Sequence, residues 1–504
     1  MSNHLFDAMR AAAPGDAPFM RTGSGQTGTY DDAFALSGRI AGAMDTLGIR
    51  PGDRVAVQVE KSPEALILYL ACLRSGAVYL PLNTAYTLAE LDYFIGDAEP
   101  RLVVVASTAR EGVATIAQRH GAIVETLDAD GRGSLLDLAR DEPADFVDAS
   151  RSADDLAAIL YTSGTTGRSK GAMLTHGNLL SNALTLRDYW RVTADDRLIH
   201  ALPIFHTHGL FVATNVTLLA GASMFLLSKF DADEVVSLMP EATMLMGVPT
   251  FYVRLLQSPR FSKEAAANIR LFISGSAPLL ADTHTEFEAR TGHAILERYG
   301  MTETNMNTSN PYDGRRIAGT VGLPLPGVTV RVTDPATGQV LPPEQTGMIE
   351  IKGPNVFKGY WRMPEKTAAE FTGDGFFISG DLGKIDSDGY VHIVGRGKDL
   401  VISGGYNIYP KEVESEIDRI DGVLESAVIG VPHPDFGEGV TAVVVRKPGA
   451  ALDEKTIVSA LQDRLARYKQ PKRIIFAEDL PRNTMGKVQK NILRQQYADL
   501  YTGT

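Results

Sequence analysis

Eleven consecutive residues, Tyr161 to Gly171 (Tyr-Thr-Ser-Gly-Thr-Thr-Gly-Arg-Ser-Lys-Gly), combine three glycines, the hydroxyls of Thr162, Ser163, Thr165 and Thr166, and the ammonium of Lys170. This is a combination that handles phosphate. Gly164 and Gly167 let the backbone close on an anion, while the hydroxyls and the lysine supply donors and one positive charge. The apolar run Leu156 to Leu160 before it reads as a buried strand, so the loop leaves a sheet at the edge where ligands of open α/β sheets sit. Its spacing, Gly164-x2-Gly167-x2-Lys170-Gly171, differs from the Gly-x4-Gly-Lys-Ser/Thr loop of many nucleotide-binding proteins.

Four further segments carry reactive groups. Glu297-Arg298-Tyr299-Gly300-Met301-Thr302-Glu303 follows a short apolar strand and places a tyrosine and a carboxylate on either side of a glycine, suited to close approach of a flat ring or ribose. Ser379-Gly380-Asp381 follows the apolar Phe376 to Ile378 and puts a carboxylate at a strand end, where it could accept both hydroxyls of a ribose. Gly395-Arg396-Gly397-Lys398-Asp399 reads as a hinge leading into Ser403-Gly404-Gly405-Tyr406-Asn407. Pro481-Arg482-Asn483-Thr484-Met485-Gly486-Lys487 presents one lysine on an exposed turn ahead of a helix expected from about Val488 to Leu500.

These segments need a scaffold, and the pattern supplies one. Short β-rich runs (Val55–Val59, Leu102–Val105, Ala157–Tyr161, Met244–Val248, Leu271–Ser274) alternate with helical stretches, as in parallel sheets covered by helices. Ser62 and Pro63 predict a helix start, Gly76 its stop, and Val78 to Leu82 a following strand. From about Thr320 the strands become closely spaced (Val328–Val332, Gly347–Ile351, a hairpin around Asp386-Ser387-Asp388-Gly389), which predicts a smaller β-rich region.

With 504 residues, 44% of them hydrophobic, the chain is long enough for two or more cores. A net charge of −12 without a basic block excludes a general nucleic-acid binder. Cys72 alone rules out an intrachain disulfide and a cysteine-based zinc cluster. The most apolar stretch, Ala65 to Leu82, is cut by Arg74, Ser75 and Gly76, and Met1 to Phe19 lacks a long apolar run, so neither a membrane span nor export is expected and a cytoplasmic location is. Residues 396–504 hold 16 Lys and Arg against 15 Asp and Glu, whereas the rest holds 33 against 46. A less acidic C-terminal part with its basic residues between Arg464 and Arg494 suits a lid over an anionic ligand.

Taken in order, the phosphate loop, Phe205-His206-Thr207-His208-Gly209, Gly275-Ser276-Ala277-Pro278, Tyr299 to Glu303, Ser379-Gly380-Asp381, Gly395-Arg396 and Gly486-Lys487 resemble the adenylate-forming acyl-CoA synthetases, grouped with peptide-synthetase adenylation domains and firefly luciferase. The resemblance covers nearly the whole chain. It implies an α/β body over 1–397, with parallel sheets and a β-rich subdomain, and a small mobile α+β lid over 398–504 that rotates about Lys398. It also implies two half-reactions: a carboxylate attacks the α-phosphate of MgATP to give acyl-AMP and pyrophosphate, and coenzyme A then displaces AMP. Lys487 would bridge the carboxylate and α-phosphate. Thr162 and Glu303 would hold Mg²⁺, and the loop to Lys170 would cradle the β- and γ-phosphates. Asp381 and Arg396 would take the ribose. Gly275, Ser276, Ala277 and Glu297 to Thr302 would line the nucleotide and acyl sites with His206, and Gly404 and Gly405 would flank the pantetheine arm.

Three departures from the usual pattern stand out. Ser169 replaces a proline, and Asn483 stands where Ser or Thr is frequent. Arg298 occupies a position where many members carry a small or uncharged residue. A guanidinium lining an acyl pocket wants a carboxylate, and a dicarboxylate substrate would provide one, with Arg254, Ser276 and His206 as further candidates to hold it. The run Glu297 to Thr304 resembles the malonyl-CoA and methylmalonyl-CoA synthetases. The alternatives are an internal partner for Arg298, such as Glu297 or Asp381, with a fatty or aryl acid as substrate, or a stand-alone enzyme loading a carrier protein. The Lys487 segment also resembles the site at which some bacterial relatives are acetylated, which would make a lysine acetyltransferase a partner.

Overall fold

Helix and strand signals fall close to where the sequence predicts them in the computed structural model, which describes residues 2–13, 15–162, 169–403, 406–462, 464–483 and 486–501. The Ser62 hydroxyl accepts from the Ala65 N–H at 3.1 Å, Pro63 opens the helix Pro63–Ser75, Gly76 ends it, and the strand Val78–Pro81 follows. Every residue from Ala65 to Ser75 is buried, Cys72 among them as a free thiol.

By packing, the chain forms two units: residues 1–329 with 351–377, and residues 330–350 with 378–504. The expected division into a body over 1–397 and a lid over 398–504 falls within the second of these units.

The first unit holds two sheets. In a seven-stranded one the order is Gly359–Tyr360, Lys170–Thr175, Leu156–Thr162, Val78–Pro81, Arg54–Gln58, Leu102–Val105, Ile123–Thr126, parallel from Leu156–Thr162 onward. Lys170–Thr175 runs antiparallel to Leu156–Thr162 with Thr162 opposite Lys170. Apolar side chains of these strands, including Ala56, Leu80, Val103 and Ile159, pack on Leu91, Phe94 and Ile95 of the helix Leu88–Ala98.

The nine-stranded sheet has Met244–Gly247 at its centre, flanked by Arg197–His200 and Leu271–Ser274, with Leu296–Met301 next to the latter, all parallel. Their carboxyl ends therefore lie on one edge.

In the second unit the expected β-rich region appears as the sheet Thr329–Thr333, Gly347–Lys352, Phe377–Ile385, Val391–Arg396. A five-stranded sheet is built around Val423–His433 and Gly437–Arg446. Alternate residues of this pair face opposite sides. Val428, Val440 and Ala442 pack on the helices Pro410–Asp418 and Glu454–Leu461, while Ala427, Ile429 and Val443 pack on Leu480 and Leu493.

The helix expected over 488–500 spans only Lys490–Gln496. Val488 is engaged in a bridge with Arg482, and beyond Gln496 the chain turns so that Tyr497, Leu500 and Tyr501 cover the second apolar face. Among the described residues no helix is long and apolar enough to cross a membrane.

Candidate active site

Three carboxyl-end segments of the nine-stranded sheet meet around Arg298. The strand Leu296–Met301 carries it inward, and only 2% of it is exposed. Its Nε and Nη2 have no hydrogen-bond partner among the described residues. Burial lowers its pKa to about 9, against which Tyr252 is the one opposing influence and no carboxylate contributes. The neighbouring strand Leu271–Ser274 leads into Gly275 and Ser276. A Cβ on Gly275 would come within 2.5 Å of the Arg298 Cζ, so the guanidinium lies directly on that backbone and only glycine leaves it room. Ser276 has φ +72°, the left-handed region. Its Oγ is 3.2 Å from Nδ1 of His208, whose Nε2 is buried without a partner among the described residues.

His208 titrates well below the usual imidazole range, because burial and the Arg298 charge both oppose a second cation. His206 is lowered to about 4 by burial, and its ring packs on Phe205 at 5.0 Å. Both imidazoles are neutral near pH 7. The cluster thus offers a single fixed cation, a neutral imidazole and a hydroxyl, a set that can receive an anionic oxygen. Glu297 turns elsewhere: its Oε1 accepts from the Leu279 N–H at 3.1 Å and braces the Gly275–Leu279 turn. Tyr299, Gly300 and Met301 continue the strand beside Asn305–Ser309. Thr302, like Ala277, is half-buried.

A second cluster in the same unit centres on Tyr360. Its hydroxyl is 2.6 Å from Oε2 of Glu370 and 3.0 Å from Oε1 of Glu303. Lys170 Nζ lies 3.1 Å from Oε1 of Glu370 and 4.1 Å from the centre of the Tyr360 ring. Lys170 is thus held against a carboxylate, and Glu303 by a phenol. Ser169 contributes its carbonyl, which accepts from the Tyr93 hydroxyl at 2.6 Å.

In the second unit, Asp381 and Arg396 face each other across the strands Phe377–Ile385 and Val391–Arg396 and form an ion pair at 3.1 Å. Lys487 is half-buried. Its pKa is lowered to about 8, first by burial, then by Arg396 and Lys398, with Asp381 and Asp399 opposing. Lys398 is lowered too, by burial and Arg396. Asn483 secures the lysine turn: its Oδ1 accepts from the Lys487 N–H at 2.9 Å, and its own N–H donates to the Lys487 carbonyl at 2.9 Å. Arg482 donates to the Gly486 carbonyl at 2.7 Å and pairs with Glu425.

The structure brings together Arg298, Gly275, Ser276 and the segment carrying His206, but not Arg254. That arginine lies on the exposed face of the helix Pro249–Gln257, whose inner face is Phe251, Tyr252 and Leu255. Two partners were not singled out from the sequence: His208, although its motif was, and Tyr360, for which only proximity in space gives a signal. Ser163, Gly164, Thr165, Thr166, Gly167, Gly404 and Gly405 lie outside the described residues.

The order of these segments along the chain is the one that the adenylate-forming resemblance predicts. The chain belongs to the AMP-binding enzyme family, whose model matches residues 7–361, with the AMP-binding enzyme C-terminal domain matching residues 412–487. Among solved structures, ATP-bound MatB from Rhodopseudomonas palustris is 65% identical with a TM-score of 0.98, covering 99% of this chain and 100% of that one. A feruloyl-CoA synthase from an Amycolatopsis species is 38% identical over 474 residues, 93% of this chain and 94% of its own length. A malonate–CoA ligase from Arabidopsis thaliana is 36% identical over 481 residues, 89% of this chain and 78% of its own. The chain is an AMP-forming acyl-CoA ligase, and such ligases use ATP, Mg²⁺ and coenzyme A.

The residues present fit a magnesium ion that arrives with its nucleotide. Among the described residues no group of three or more His, Cys, Asp or Glu could hold a metal by itself. Buried Glu303 and the hydroxyl of Thr162 offer hard oxygen donors. Mg²⁺ is commonly bound this way, by one or two protein oxygens completed by phosphate and water.

Proposed function

We propose that this ligase converts malonate, and methylmalonate, to the corresponding CoA thioester through an acyl-adenylate. The observation that carries the reading is Arg298, a buried guanidinium with Nε and Nη2 unpartnered among the described residues, beside His208 and Ser276. Leaving a buried charge without a counterion costs several kcal/mol, on the order of 3–5 when a partner is removed. A substrate carboxylate that pairs with Arg298 offsets that cost and leaves the second carboxylate for adenylation. Likeness to a malonate–CoA ligase supports the same substrate.

In the reaction, Arg298, Ser276 and the histidine segment hold the distal carboxylate. The loop from Thr162 to Lys170 binds the ATP phosphates. Thr162 and Glu303 would hold Mg²⁺, which when bound would neutralise charge on the phosphates. Glu297 to Thr302 with Gly275 to Ala277 line the nucleotide, and Asp381 and Arg396 take the ribose hydroxyls. Lys487 brings an ammonium to the two approaching anions, whose mutual repulsion is the obstacle in this step. For thioester formation the lid of residues 398–504, which bears Lys487, rotates about Lys398, and Gly404 and Gly405 let pantetheine pass. Acetylation of Lys487 by a lysine acetyltransferase deletes the charge that the first step needs and so switches the enzyme off.

A second reading, an aryl monocarboxylate as substrate, draws on the feruloyl-CoA synthase likeness. One experiment separates the two: AMP release with ATP, Mg²⁺ and coenzyme A against malonate, methylmalonate, succinate, acetate, octanoate, benzoate and ferulate, for wild type and Arg298→Ala. Malonate turnover that collapses in the variant is expected. Strong turnover of a monocarboxylate that ignores the substitution would overturn the dicarboxylate reading and keep the ligase.

A further inference from the structure

Lys61 is buried three residues beyond the strand Arg54–Gln58, and no motif of the reaction includes it. Its Nζ lies 2.9 Å from Nδ1 of His200, 2.7 Å from the His200 carbonyl and 2.8 Å from the Leu202 carbonyl. None of these partners is a carboxylate. On the far side of the ring, His200 Nε2 is 2.9 Å from the Gly209 carbonyl and 3.3 Å from Oγ1 of Thr214, whose hydroxyl donates to the same carbonyl at 3.0 Å. A carbonyl only accepts, so Nε2 carries a hydrogen. Nδ1 then either accepts from an ammonium or, as an imidazolium, donates to a neutral amine. In either arrangement Nε2–H is aimed at Gly209.

The geometry has two consequences. Gly209 belongs to the π-helical turn His208–Thr214, and a Cβ on it would come within 2.1 Å of the Pro203 carbonyl, so this segment has one tight seat. Its first residue, His208, is the one that meets Ser276 beside Arg298. Lys61 also follows a strand of the seven-stranded sheet, which carries the phosphate loop, while His200 ends a strand of the nine-stranded sheet, which carries Arg298. The lysine is thus a buried polar link between the carboxyl ends of the two sheets.

We propose that Lys61, acting through His200, is a positioning residue that seats His208 in the acyl pocket and holds that pocket against the sheet bearing the phosphate loop. This rests on reading the Arg298 pocket as the acyl site; the identity of the acid is immaterial. The test compares Lys61→Met, His200→Leu and His200→Gln, measuring kcat and KM for ATP and for whichever acid the wild type turns over fastest, with thermal melts as a check on folding. Lys61→Met and His200→Leu should raise KM for the acid about tenfold or more with KM for ATP within about twofold, since a misplacement of about 1 Å can cost up to about 10²-fold. Glutamine at 200 can accept from Lys61 through Oε1 and donate to Gly209 through Nε2, so His200→Gln should keep KM for the acid within about threefold. Equal changes in both KM values, an unchanged KM for the acid, or a His200→Gln enzyme as impaired as His200→Leu would overturn the proposal. If Lys61→Met does not fold, the two His200 variants decide. If malonate is not turned over, the substrate reading falls while this test proceeds on the acid that is.

Discussion

Arg298 and Lys487 are both cations beneath partial or complete cover, yet the molecule treats them differently. Arg298 sits on a strand, pressed onto the Gly275 backbone, with a guanidinium that stays charged near neutrality even after burial lowers it. Lys487 sits on a turn, half-buried, held through its backbone by Asn483, with its ammonium lowered to about 8 beside Arg396 and Lys398. On the proposed reading, the charge that recognises the substrate benefits from being permanent and immobile, and the one that serves a single step of two from being movable and titratable.

The contrast can be broken in descending order of effect. Arg298→Ala should lower kcat/KM for malonate by about 10⁴-fold, as expected when a site built for a polar group loses its match, with acetate turnover hardly altered. Steady-state assays across the acid panel check this, and equal loss for both acids would erase the distinction. Lys487→Met should slow acyl-adenylate formation by about 10²–10³-fold, the scale for one removed charge-stabilising donor. In the same variant, thioester formation from pre-made acyl-AMP should be near wild type; stopped-flow measurement of each half-reaction decides.

The two cations should also separate on a pH axis. Below about 8 Lys487 is charged, so adenylation in single turnover should fall as pH rises through that value. Between pH 6 and 7.5 KM for the acid should stay level, because Arg298, lowered only to about 9, is protonated there. Smallest is Asn483→Ala, which removes one hydrogen bond from the lysine turn, worth about 1 kcal/mol, and should slow adenylation about fivefold.

Much of this was legible in the sequence because it is local. The Ser62-Pro63 start and Gly76 stop of a helix are encoded in neighbouring residues, and Arg298 is conspicuous as a charge in an apolar context. Arg254 lies off the buried stripe that Phe251, Tyr252 and Leu255 define, a placement that helix periodicity already indicates. The final helix was drawn too long because Tyr497, Leu500 and Tyr501 answer to an apolar sheet face that only the fold creates. His208 rather than His206 meeting Ser276, Tyr360 between two carboxylates, and Lys61 linking two sheets are all relations between distant segments, which one-dimensional spacing does not encode.

The lone thiol of Cys72 has a practical consequence. Sealed within the helix Pro63–Ser75, with burial pushing its pKa far above the usual thiol range, it is deaf to maleimides while the fold is intact. The wild-type chain therefore serves as its own cysteine-free background for labelling. A cysteine introduced at exposed Ile402 would be the one reactive thiol in the protein, and a single dye there would report any turning about Lys398 in real time.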